Sequence, residues 1–247
     1  MKKLLITLAV GDKYVKEYSN LFKKSQQHYS KKHGYEFRLL DYRLNNILSH
    51  PDSLSFDKAL VFNQEWVKSY DFVVFVDADI FINPNSPDII EQFKDKDKIL
   101  VADEYSQPDP DSRIEVQKKM GWETSAKDYY KLAGFNIETD RMINTGVIGM
   151  DPRVNGKWMK SVHFKHSMRS VGHYRHFHFE QSAIGYEIQK QKKAQYLNNK
   201  FNAVWNIYKL HNSEIEFEDF VDNNYFIHLA GKVDFDKVPH LNTKFKL

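Results

Sequence analysis

The chain has no cysteine among its 247 residues. That absence removes a disulfide framework, a thiolate metal site and a cysteine nucleophile, so any metal must be held by oxygen or imidazole. A long apolar run near the start is also missing. Residues 4–10 are stopped by Gly11-Asp12-Lys13, without the cleavage pattern of a signal peptide and far short of the roughly 20 residues that span a bilayer. They read as a buried first strand, which makes a cytoplasmic location the expectation and a secretory segment the weaker alternative. No Gly-rich basic loop follows them, which weighs against a triphosphate cradle. The charge excess is small: 36 basic against 33 acidic residues, formally +3. That is too mild for a nucleic-acid binder, and no nucleic-acid partner is expected. No repeat, low-complexity tract or linker divides the chain, so one domain over residues 1–247 is expected.

What is abundant is aromatic. Phe numbers 18 and Tyr 14, which implies a thick core and stacking surfaces beside a cleft. Apolar residues recur at helical intervals over 14–32 and again over 56–69. Residues 35–40 between them read as a strand. Residues 72–76, Phe-Val-Val-Phe-Val, are an unbroken run of strand formers, as expected for a central strand covered on both faces. Further strands are expected at 99–102, 142–150 and 225–229, and helices at 87–93, 154–170 and 180–189. The alternation predicts an α/β fold with a mostly parallel central sheet flanked by helices. Residues 103–140, opening with an acidic, proline-bearing stretch, read as an insertion or mobile loop at the cleft.

The apolar run 72–76 leads directly into Asp77-Ala78-Asp79. Ligands of open α/β sheets bind outside the C-terminal ends of the strands. Two carboxylates one residue apart there can converge on Mn2+ or Mg2+ and leave positions open for phosphate oxygens.

The run Val73 to Asn83 resembles the metal-binding Asp-x-Asp segment of glycosyltransferases of the Rossmann-like GT-A fold. The retaining glycogenin and lipopolysaccharide galactosyltransferase-like group, with its fungal and plant galactosyl- and mannosyltransferase relatives, is the nearest in pattern. Other landmarks follow in the same order and cover most of the chain. The stretch 7–12 is similar to the end of the family's first strand, which implies donor contacts at Thr7, Ala9 and Asp12, with Tyr14 stacking on the base. Lys58 corresponds to a basic residue near the donor phosphates or sugar. The stretch 143–150 is similar to the Asn-x-Gly strand and implies sugar contacts at Asn144 and Thr145. Glu180-Gln181 resembles the acidic-Gln motif beside the reacting sugar, which implies catalytic roles for both; the family more often has Asp where Glu180 stands. His228-Leu229-Ala230-Gly231-Lys232 looks like the C-terminal motif, which implies His228 as third metal ligand and Lys232 at the diphosphate. The family pattern has its Lys further on and follows it with Pro-Trp, and this chain departs from that. Ala78 and Gly231 complete the expected donor contacts, and Trp205 is expected in the core.

The resemblance therefore implies a metal-dependent hexosyltransferase, with residues 1–102 a nucleotide-binding half and 103–247 a sugar and acceptor half. A UDP-sugar donor, galactose or glucose first, a saccharide or glycolipid acceptor and retention of configuration are the finer expectations. The alternatives are a sugar nucleotidyltransferase and a non-catalytic nucleotide-sugar-binding protein. One segment stands apart. Between Arg153 and Phe179 lie six Lys or Arg, five His and no acid. The plain reading is a solvated basic face; the functional one is peripheral contact with an anionic membrane or acceptor through residues 153–175, from Arg153 to Arg175. His173, His176 and His178 are candidate zinc ligands of low rank.

Overall fold

A computed structural model describes residues 1–45, 51–121, 125–167 and 179–247. The chain opens with β1 (Lys3–Leu8), α1 (Asp12–Leu21), α2 (Lys23–His33) and β2 (Tyr35–Leu40), then α3 (Lys58–Val61), β3 (Phe72–Val76) and β4 (Ile80–Ile82). It continues through β5 (Ile99–Asp103), α4 (Arg113–Lys119), α5 (Ala126–Leu132), β6 (Ile143–Met150), α6 (Pro152–His166) and α7 (Phe179–Lys190). The remainder is β7 (Ala194–Tyr196), β8 (Ala203–Val204), α8 (Trp205–His211), α9 (Phe217–Asn223), β9 (Phe226–His228) and α10 (Val238–Lys244).

Six strands form the central sheet in the order β2-β1-β3-β6-β5-β7. β1 runs parallel to β2 and β3, and β5 parallel to β7, whereas β6 is antiparallel to both of its neighbours. Alternation along each strand sends side chains to two faces. Leu4, Ile6, Val73, Phe75 and Ile148 enter one buried cluster, while Leu5, Val74, Val76, Leu100 and Val147 enter another, joined by Tyr29. Covering on both faces is why β3 can be apolar at every position. A second sheet, β4-β9-β8, stands against the end of β3.

The antiparallel direction of β6 decides what meets at the site. Its register pairs Val76 with Val147 and Asp103 with Ile143. The polar start of β6 therefore lies beside the C-terminal ends of β3 and β5, where a parallel strand would have put its C-terminal end.

Several expected elements change form. The helix predicted over 14–32 is two helices broken at Phe22. Over 56–69 only α3 is α-helical, between 3-10 turns at Pro51–Asp57 and Glu65–Ser69. The chain after α3 abuts the α6 backbone: a β-carbon on Gly156 of α6 would lie 2.2 Å from the Phe62 carbonyl oxygen. The helix expected at 87–93 is a 3-10 turn at Ile89–Gln92, capped by Asp88. Residues 103–140, expected as a loop, carry α4 and α5, and the adjacent Tyr129 and Tyr130 of α5 are fully buried. Among the described residues no helix is long and apolar enough to cross a membrane.

Candidate active site

Asp77 follows the last residue of β3, and its N–H donates to the Gly146 carbonyl of β6 at 2.8 Å. Asp79 precedes β4, which pairs with β9 so that Ile80 faces His228. The Leu229 N–H also donates to the Asp79 carbonyl at 3.0 Å. Two sheets thus bring together three side chains that could hold a metal ion: one atom from each of Asp77, Asp79 and His228 lies within 4.8 Å of the others. His228 is buried, with Nε2 3.4 Å from Asp79 Oδ1 and Nδ1 3.0 Å from Asn202 Oδ1.

Lys58, buried in α3, lies 2.9 and 3.1 Å from the two oxygens of Asp77. Burial works against its charge, but Asp77 and then Glu180 outweigh that and raise its pKa. Desolvation holds the Asp77 carboxyl above its usual range despite Lys58, with Asp79 adding to the rise. Desolvation pushes Asp79 the same way, but His228 outweighs it by charge and hydrogen bond, and the net shift is downward. For His228 burial lowers the pKa, and Asp79 and Asp77 together raise it further than that. The carboxylates thus face an ammonium on one side and, on the other, an imidazole whose protonated form they favour.

Two cavities meet at these acids. The larger, about 460 Å3, is lined by Leu8, Ala9, Tyr14, Glu17, Phe75 and Lys232. The smaller, about 330 Å3, is lined by Glu104, Tyr129, Asn144, Thr145, Gln181 and His228, with Gly231 at its edge. Asp77, Asp79 and Glu180 belong to both walls, while Lys58 and Ala78 face the larger one. Tyr14 is 56% exposed at the rim. Lys232, in the left-handed backbone region at φ 63°, pairs with Glu17 over the Tyr14 ring.

Two of the expected donor contacts lie elsewhere. Thr7 is fully buried and lines neither cavity, its hydroxyl without a hydrogen-bond partner among the described residues. Asp12 is exposed in the first turn of α1, where a carboxylate suits the helix dipole, and it lines neither cavity. Trp205 is in the core, as expected, with its indole N–H donating to Asp234 at 2.7 Å.

No role for Glu104 or Asn202 is legible in the sequence. Glu104 accepts from Asn144 Nδ2 at 2.8 Å and from Arg113 Nη2 at 3.0 Å. It follows β5 directly, so the strand-end rule that picked out Asp77 also reaches it. Asn202 is recognisable only once β8 and β9 are seen to be neighbours.

The basic stretch is partly neutralised from outside itself. Arg153 pairs with Asp71 and Asp151, and Lys165 with Glu187. His173, His176, His178 and the rest of 168–178 lie outside the described residues.

The donor set fits a divalent metal: two carboxylates and an imidazole offer hard and borderline ligands, and all three residues line the smaller cavity. Thr145, which lines the smaller cavity, adds a buried hydroxyl without a partner among the described residues. No family model matches the chain, and no curated protein matches it by sequence. Solved structures do match. A glycosyltransferase involved in glycosylation of the major capsid of PBCV-1 aligns over 98% of this chain and 99% of its own, at 16% identity and a TM-score of 0.61. The galactosyltransferase LgtC, in complex with donor and acceptor sugar analogues, aligns over 97% and 95%, at 13% identity and 0.55. The bifunctional glycosyltransferase WbbM aligns over 93% of this chain and 46% of its own, at 13% identity and 0.57. The chain has the α/β fold of these GT-A glycosyltransferases.

Proposed function

We propose that the chain is a divalent-metal-dependent glycosyltransferase that moves a hexose from a nucleoside diphosphate donor to a saccharide or glycoconjugate acceptor. The observation that carries this reading is the pair of cavities sharing Asp77, Asp79 and Glu180. A donor laid across them would have its nucleoside in the larger, beside Ala9 and Tyr14, and its sugar in the smaller. Its diphosphate would fall at the shared acids, which is where a metal held by Asp77, Asp79 and His228 is needed. Bound there, Mn2+ or Mg2+ supplies Lewis-acid stabilisation of the leaving diphosphate.

The protein's own groups do the rest. Lys58 offsets negative charge from below, and Lys232 can exchange Glu17 for a phosphate oxygen. Ala78 and Gly231 offer backbone at close range. Asn144, Thr145 and Gln181 border the sugar, and Glu180 stands where the two cavities join. The resemblance of Glu180-Gln181 to the retaining families supports retention, and the same resemblance supports UDP-galactose or UDP-glucose. The LgtC complex with donor and acceptor analogues supports a nucleotide sugar and a saccharide as the two partners. In this reading residues 1–102 serve mainly the nucleotide, residues 103–247 the sugar and acceptor, within one domain.

The test is nucleoside diphosphate release from a panel of nucleotide sugars with Mn2+, with and without chelator. Release from one donor, abolished by chelator and lowered at least about 1,000-fold in Asp79→Ala, is the expected result. Pyrophosphate release from a nucleoside triphosphate and a sugar phosphate would replace this reading with a nucleotidyltransferase. Metal-dependent binding of a donor without turnover with any saccharide acceptor would replace it with a binding protein.

A further inference from the structure

Beside the candidate metal ligands, buried amides form a row whose direction follows from one atom that has no choice. The Gly146 backbone N–H can only donate, and it lies 2.8 Å from Asn144 Oδ1. That orients Asn144 with its oxygen toward Gly146 and its NH2 toward the Glu104 carboxylate, 2.8 Å away. The same Asn144 oxygen lies 2.8 Å from the side-chain amide of Asn202, which must therefore present its NH2 there. The remaining Asn202 atom, its oxygen, then faces His228 Nδ1 at 3.0 Å. An oxygen acceptor at that distance requires a hydrogen on Nδ1. In the neutral imidazole one nitrogen carries the proton and the other the lone pair. In the neutral ring the lone pair is then on Nε2, 3.4 Å from Asp79 Oδ1, whose carboxylate alone would favour a hydrogen there, so the amide row has to outweigh it in the metal-free protein.

Both ends of the row are braced. Arg113 Nη2 holds Glu104 from behind at 3.0 Å. Gln107 is oriented by a second obligatory donor, the Val204 N–H at 3.0 Å, and its own NH2 donates to the Asn202 carbonyl at 2.9 Å. The imidazole itself is pressed onto Gly146, where a β-carbon would stand 2.6 Å from Cε1.

We propose that Asn202 is a positioning residue that, through Asn144, locks neutral His228 in the Nδ1–H tautomer and so presents the Nε2 lone pair to the metal position. The consequence for metal binding rests on the function proposed above; the tautomer does not. Partners of this kind around a ligating histidine fix ring orientation and are worth about 10–100-fold in metal affinity.

Two-bond 1H–15N spectra of the metal-free, 15N-labelled protein, above the titration of the imidazole, test the lock without any variant in the sample. His228 is assigned by the signals missing from His228→Gln. The expected pattern is a pyrrole-like Nδ1 and a pyridine-like Nε2; the reverse pattern overturns the proposal. Asn202→Leu keeps the volume and removes the acceptor. It should mix the tautomers and weaken Mn2+ binding about 10–100-fold, read from the electron paramagnetic resonance signal of free Mn2+. A folded Asn202→Leu with native tautomer and native Mn2+ affinity would overturn the proposal too. A native protein with the expected tautomer and no Mn2+ binding would uphold the lock and remove the metal reading.

Discussion

Two histidines are buried in this molecule under opposite conditions. His228 sits at the end of β9 with a carboxylate on one nitrogen and an amide on the other. His163 sits in α6, 1% exposed, edge-on to Phe56 and Phe164, and neither ring nitrogen has a hydrogen-bond partner among the described residues. Burial opposes the imidazolium in both places. At His228 the acids overcome it and the pKa rises, while at His163 burial dominates and the pKa falls. Enclosure alone therefore does not mark a functional histidine. What distinguishes the site is convergence, with Asp79 from the turn between β3 and β4 and Asn202 from just before β8 reaching one ring that packs on Gly146 of β6.

The comparison breaks most sharply if the charges around Asp77 can be removed without cost. Lys58→Ala leaves that carboxylate without its ammonium. A fully buried pair broken in this way costs about 3–5 kcal/mol. Asp77 is 25% open to the cavity, so about 2–3 kcal/mol is expected, measured by urea unfolding without metal. Mn2+ should recover part of the loss by supplying the missing positive charge. A variant as stable as the native chain would mean that the site is not held together by charge balance.

Gly146→Ala is the next largest. The added methyl would meet His228 Cε1 at 2.6 Å and Nδ1 at 2.8 Å, closer than packing allows, so the ring must move. A destabilisation in the lower part of the roughly 1–3 kcal/mol range for overpacking is expected. Weaker Mn2+ binding, followed by calorimetry, should accompany it. Unchanged affinity would show that the ring does not need its seat on β6.

These residues also show what could be read in advance. Asp77 and Asp79 were legible because five apolar strand formers run straight into them, and His228 because it ends a short apolar strand within a recognisable motif. The direction of β6 was not, since periodicity specifies a strand and not its sense, and that direction is what sets Asn144 beside Asp77. The helices α8, α9 and α10, each seven residues long, are shorter than the roughly 11-residue window in which a helical period can be read. Glu104 and Asn202 become a pair through Asn144, and no spacing along the chain announces a contact between residues that far apart. Thr7 and Asp12 could not be placed in advance either: strand alternation buries one side chain and the first turn of α1 carries the other to solvent.

The smallest expected effect is at the second histidine, and it has the opposite sign. His163→Leu places an apolar side chain where the imidazole stands against phenyl rings with two unpaired nitrogens, so it should stabilise the protein by about 1 kcal/mol at neutral pH. The gain should then grow on acidification. The His163 pKa is depressed below its ordinary 6.5 in the folded chain, so between those two values the unfolded chain takes up a proton that the folded chain refuses. Its contribution to stability is accordingly full above pH 6.5 and is lost as pH falls through that window, levelling off below the folded pKa. A leucine at this position cannot titrate, so the variant lacks this loss while retaining every other acid-sensitive group. Urea midpoints of both proteins at about pH 8 and about pH 5 should diverge at the lower value. Parallel midpoints would mean that the folded chain protonates His163 as easily as the unfolded one, and the contrast with His228 would reduce to one of partners without one of charge.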